Sequence, residues 1–144
     1  MAHELFLIRR GEAFYPYDGL AQEETRQIPA GKPLRHKVTV PRSVPQNRLY
    51  WKALGVVCEN LDGGVRKEAL HKWLLGRLGY VDVIPLRNGK VDQVPASTAF
   101  DSMPQAEFNA YSDKAFDLIC EEIIPGLNKA DLLEQAEFLL GRAA

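Results

Sequence analysis

The sequence predicts an α+β fold in which a small mixed or antiparallel sheet with a hairpin packs against about four helices. Three observations carry this. Apolar residues recur at helical spacing in four stretches, beginning near residues 43, 65, 102 and 128. Glu4–Arg10 and Leu34–Val40 have the length and pattern of strands. Between the second and third helices, Asn88-Gly89 separates two apolar-flanked arms, the strongest short hairpin signal. At 144 residues, 46% apolar and 26% charged, the chain fits one domain spanning 1–144.

Each element has a local reason. Glu4–Arg10 (ELFLIRR) reads as a half-buried strand. Residues 11–33 are rich in Gly, Pro and turn formers and suit a long excursion with room for one helical turn. In Leu34–Val40, Leu34, His36, Val38 and Val40 alternate with Arg35, Lys37 and Thr39, which predicts a half-buried strand with a basic outer face. Pro41 closes that strand. Ser43-Val44-Pro45-Gln46 fits a capping box, and Tyr50, Leu54, Val57 and Leu61 continue it as a helix stopped by Asp62-Gly63-Gly64. The second helix is expected over Val65–Leu78, with Leu70, Trp73, Leu74 and Leu78 inward. Ser102-Met103-Pro104-Gln105 repeats the cap and opens the third, lined by Phe108, Tyr111, Ala115, Leu118, Ile119 and Ile123. The last, capped by Asn128, buries Leu132, Leu133, Ala136, Leu139 and Leu140.

The near-neutral total charge hides a strong polarity. Residues 32–90 carry 12 basic and 4 acidic side chains, net +8, whereas residues 91–144 carry 3 basic and 10 acidic, net −7. Such a chain can hold a polyanion with its middle and repel it with its end, or the two parts can neutralise each other by packing. No apolar run is long enough to cross a bilayer, and with no charged n-region followed by an apolar h-region, no signal peptide is expected. A cytoplasmic protein is expected, with Cys58 and Cys120 reduced and buried in helical patterns.

Signatures of catalysis are missing. The sequence has no phosphate loop, dinucleotide fingerprint, nucleophile elbow or His-Glu-x-x-His zinc motif. His3, His36 and His71 stand far apart, so no metal or other cofactor is expected; His71 is expected as a partly exposed helix residue. Asp82 and Asp92, flanking the hairpin with Lys90 between them, raise a magnesium nuclease and fit solvated hairpin charges better. No catalytic residue is assigned.

What remains is the entry to the first long helix. Arg42, Gln46, Asn47 and Arg48 crowd a strand-to-helix junction, where backbone N–H groups and the helix dipole favour an anion. Arg48 and Lys52 lie one turn apart, Arg35 and Lys37 arrive on the preceding strand, and Trp51 offers an aromatic face. Repeated cations hold phosphates and flat rings stack unpaired bases, so these residues suit single-stranded nucleic acid. They equally suit a core aromatic pair with a solvated basic rim.

The run Arg42–Gly55 (RSVPQNRLYWKALG) also resembles the NinB (Orf) recombination accessory proteins of lambdoid phages, which carry an Asp-Gln-Asn-Arg-x-x-Trp-x-x-Leu-Gly core. The matching positions are Gln46, Asn47, Arg48, Trp51, Leu54 and Gly55, with Pro45 where the acidic residue would stand. LHKWLLGRLGYVDV, VPASTAFDSMPQAEFNAY and EEIIPGL are similar to a family of lambdoid prophage proteins. The resemblance implies a cytoplasmic homodimer that binds single-stranded DNA, assists recombination or replication, and cooperates with the host's single-strand binding or recombination proteins. A different expectation stays beside it. A small phage protein with an acidic helix face, here Asp113, Asp117, Glu121 and Glu122, can inhibit a host defence or DNA-processing protein by direct contact.

Overall fold

The computed structural model describes residues 4–40, 43–96 and 100–143. Arg42, Pro41 and the segment 97–99 lie outside them. The chain is α+β and divides into two compact units, one running up to Thr39 and including the C-terminal end from Gly141, the other Val40–Leu140.

In the first unit, β1 (Leu7–Arg10) turns at Gly11 and pairs antiparallel with β2 (Ala13–Pro16), placing Ile8 opposite Tyr15. The predicted strand is therefore half of a hairpin. α1 (Gly19–Arg26) follows, two turns where one was expected. Asp18 caps it by accepting from Ala21 N at 3.0 Å. Leu34–Val40 is not a strand. Among the described residues no neighbour offers it a ladder, and Val40 is 90% exposed. Alternation marks a surface that could pair; without a partner strand nothing holds it extended.

The second unit holds the core. α2 (Val44–Glu59) begins at the expected cap, where Ser43 Oγ accepts from Gln46 N at 3.4 Å. α3 (Lys67–Arg77) ends at Gly79, whose φ of +86° lets Tyr80 N donate back to Leu75 O at 2.9 Å. That reversal leads directly into β3 (Val81–Pro85), which pairs antiparallel with β4 (Val91–Pro95). The hairpin lies where Asn88-Gly89 foretold it. Its turn is three residues long, with Gly89 N donating to Leu86 O and Gly89 alone at positive φ. A two-residue turn would have needed Asn88 there as well.

α4 (Gln105–Leu118) starts later than expected, with Pro104 at the cap position and no side-chain cap bond, so Ser102 does not open it. It continues as a wide π turn (Ile119–Ile123), closed by Ile124 N donating to Ile119 O at 2.9 Å. α5 (Lys129–Ala143) is capped as predicted, Asn128 Oδ1 accepting from Ala130 N at 2.8 Å. Tyr50, Leu54 and Val57 of α2, Leu70, Leu74 and Leu75 of α3, Phe108, Tyr111 and Phe116 of α4 and Leu132 of α5 share one buried cluster. Trp73, expected inside, stands at the surface under Arg77, whose guanidinium carbon is 5.2 Å from the ring centre. The buried stripe of α3 runs through His71 and Leu75 instead.

Candidate nucleic-acid interface

Burying Asn47, Tyr50, Leu54 and Val57 fixes the rotation of α2. At 3.6 residues per turn, Arg48, Lys52, Gly55 and Glu59 must then share the opposite side. Arg48 and Lys52 are half-buried. Trp51 flanks this stripe. Its ring centre is 4.7 Å from that of His71 and it stands edge-on to Tyr50, so the core already uses part of the indole. Gly55 continues the stripe as a flat spot, with open space where a Cβ would sit.

The remaining predicted residues are placed differently from one another. Asn47 is buried, which makes it a support for the helix entry. Gln46 is exposed, and its Oε1 accepts from Gln105 Nε2, tying the start of α2 to α4. Arg35 and Lys37 belong to the first unit, on a segment that is no strand. The helix entry offers an anion little backbone. Ser43 Oγ takes the Gln46 N–H, Asn47 N–H donates to Ser43 O at 3.0 Å, and Pro45 has no N–H. Val44 is left as the one backbone donor of that first turn, so anion binding there falls to side chains.

One polar feature of this region was not foreseen. His71, expected to be partly exposed, is 6% exposed and lies inside the aromatic cluster. Tyr50 Oη sits 2.7 Å from His71 Nδ1 and 2.8 Å from Tyr111 Oη, three groups from three helices joined in a line. Burial first, then the charge of Lys72, pushes the imidazole down to about 4. The signal was available: Leu70, Leu74, Leu75 and Leu78 bracket His71 at inward spacing.

Beside Tyr50, α2, α4 and α5 leave a cavity of about 320 Å³. Leu49, Phe108, Phe116 and Leu133 wall it, and Gln46, Asn109, Ser112 and Asp113 supply polar groups. Ser112 Oγ is buried and has no hydrogen-bond partner among the described residues.

The acidic and basic parts of the second unit do meet. Arg77 forms a two-pronged pair with Glu122, which holds that carboxyl below its ordinary range, and Lys129 Nζ lies 2.9 Å from Asp117. Two of the four carboxylates on the predicted acidic face are thus already engaged. On the hairpin, Asp82 pairs across to Val94 and Ile84 to Asp92, which puts both carboxylates on one side. Among the described residues no group of three or more His, Cys, Asp or Glu could hold a metal, and no helix is long and apolar enough to cross a membrane. Cys58 and Cys120 are unpaired thiols, both pushed up by burial first.

No family model matches the chain, and no curated protein matches it. A solved structural-genomics structure of a NinB protein is similar. It aligns over 93% of this chain and 99% of its own, at 21% identity and a TM-score of 0.48. Function has to be read from this chain's own residues.

Proposed function

We propose that the chain is a non-enzymatic, phage- or prophage-encoded protein that binds single-stranded nucleic acid, DNA foremost, as an accessory to recombination or replication. The observation that carries the reading is the outward stripe of α2: two cations one turn apart, a flat glycine beyond them and an indole at their flank. Guanidinium and ammonium groups at that repeat suit successive phosphates, and at Gly55, before Glu59 ends the stripe, no side chain blocks the close approach of a backbone. Such a protein acts in the cytoplasm of the bacterial host, alongside its single-strand binding or recombination proteins.

A homodimer fits the same picture. The β3–β4 hairpin shows solvent Val83 and Val91 on one side and Ile84 and Val94 on the other. Two strands with both faces wet are marginal in water, and a second copy would supply the cover.

Fluorescence anisotropy of labelled single-stranded and duplex oligonucleotides at several salt concentrations tests the proposal. Each single-strand phosphate contact contributes a slope of about −0.7 in log K against log salt. Arg48→Ala/Lys52→Ala is expected to weaken single-strand binding and to flatten the slope by about 1.4. Absence of single-strand binding by the folded wild type at low salt would refute it.

A further inference from the structure

The outer face of α3 carries a tryptophan that the core does not use. Trp73 is neither in the buried cluster nor among the half-buried side chains packed against it, whereas Trp51, the chain's other tryptophan, is one of the latter. The Trp73 ring is held in place all the same. Arg77, one turn on, sets its guanidinium over it, and Glu122 grips Arg77 through both carboxylate oxygens. The near neighbours of residue 73 on the helix are 69, 70, 76 and 77. Leu70 is buried and Arg77 is already placed, so Ala69 and Gly76 are the two that flank the ring toward solvent. Neither has a side chain long enough to cover an indole, and a Cβ at Gly76 would meet open space.

The surroundings of this ring are cationic. Arg66, Lys67, Lys72 and Arg77 stand against the single carboxylate of Glu68 over this helix, and all five side chains are exposed. Arg77 is engaged by Glu122, but Arg66 and Lys72 have no ion-pair partner among the described residues. His71 turns toward α2, its ring centre 4.7 Å from that of Trp51. Successive residues advance by about 100°, so Lys72 stands on the α2 side of the outward face and Trp73 on its far side. Ala69 and Gly76 lie between them. The outward face of α3 therefore begins beside Trp51, which flanks the Arg48–Lys52 stripe. A pre-set flat ring bordered by cations suits an anion that also has π faces. An acidic peptide offers charge without such faces, and a duplex stacks its base faces against one another. Unpaired nucleotides supply both.

We infer that Trp73 is a base-stacking station for single-stranded nucleic acid, receiving one base of a strand that crosses α3 from the Arg48–Lys52 stripe by way of Lys72. The inference rests on the single-strand reading above and extends its footprint from α2 to α3. Every base has a π face, so the station adds affinity without base preference. Arg77 already fixes the ring, and stacking does not have to order it.

The test exploits the presence of two tryptophans in the chain. Wild-type emission minus that of Trp73→Phe isolates Trp73. Labelled oligo-dT and an abasic strand of equal length are titrated in turn, with anisotropy of the label following binding. Oligo-dT is expected to quench the Trp73 emission as it binds. The abasic strand, which has the phosphates without the bases, is expected to leave it unchanged. Trp73→Ala is expected to weaken oligo-dT binding by about tenfold, the scale of one base–aromatic stack, and to leave abasic binding nearly as it was. Trp73→Phe keeps a flat ring and most of the affinity. The residue lies outside the buried cluster, so both variants keep the fold, which circular dichroism checks. Three results would overturn the station and leave the α2 stripe standing: unquenched Trp73 emission on a bound oligo-dT strand, undiminished affinity in Trp73→Ala, or equal losses on both strands. The last would mark a charged surface open to any polyanion, an acidic protein included. Absence of binding to either strand would overturn both readings.

Discussion

Replacing His71 by Gln should remove a specific part of the protein's acid sensitivity. In the folded chain the imidazole titrates at about 4, against an ordinary 6.5, because burial disfavours its charged form and Lys72 adds repulsion. Above pH 6.5 the ring is neutral in both folded and unfolded chains, and its stability contribution is fully present. As pH falls from 6.5 the unfolded chain takes up a proton that the folded chain refuses, so stability declines until the folded imidazole itself titrates near 4. At about 1.4 kcal/mol per pH unit, that interval is worth about 3 kcal/mol. The neutral ring suits its neighbours, since Nδ1 can accept from Tyr50 O–H while Tyr50 Oη accepts from Tyr111. Glutamine keeps a polar group there and does not titrate. Urea unfolding of both proteins at intervals from pH 7.5 to pH 4 gives the comparison. Carboxylates contribute equally to the two curves, so their difference reports His71. The wild type should lose about 3 kcal/mol more than the variant over this range. Parallel curves would refute the account of a neutral, desolvated imidazole.

Other consequences can be measured alongside. Tyr50→Phe removes the hydroxyl shared by His71 and Tyr111 and should cost about 1–3 kcal/mol, non-additively with His71→Gln in a double-mutant cycle; additive losses would mean the line is not a unit. Gly55→Ala should raise stability by up to about 1 kcal/mol, because a Cβ there meets open space and alanine favours the helix; a loss on thermal or urea unfolding would show a packing role. Cys58 and Cys120, raised by burial, should react slowly with iodoacetamide at neutral pH in the folded protein and quickly in urea; equal rates would contradict that environment.

Much of the second unit was legible because its signals are local. Ser43 and Asn128 announce their caps, Asn88-Gly89 its hairpin, and the leucine and aromatic spacing of α2 and α4 their buried sides. The errors have two causes, a neighbour the sequence does not name and a local signal that pointed elsewhere. Leu34–Val40 alternates well and has no ladder to join. Ser102 has the spacing of a cap, but Pro104 takes the cap position and the helix begins after it. Trp73 and His71 stand two residues apart on α3, and the more apolar of the two was expected inside; helix rotation, set by Leu70, Leu74 and Leu75, turned the imidazole inward. At the proposed interface, the pairing of Arg48 with Lys52 could be read from their spacing. The burial of Asn47, and a cavity assembled from α2, α4 and α5, could not.

The wide turn at Ile119–Ile123 bears on how relatives of this chain should be aligned. It stores one surplus residue inside a helix, between the buried Ile119 and the half-buried Ile124, with the 119-to-124 hydrogen bond spanning it. A chain one residue shorter here would close an ordinary turn over the same ground, leaving the buried stripe up to Ile119 unchanged. A single-residue gap between relatives therefore belongs within this turn, not in the Pro125-Gly126 bend beyond it. Set in the bend, the gap would match Glu122, the partner of Arg77, with a residue of the other chain that points elsewhere.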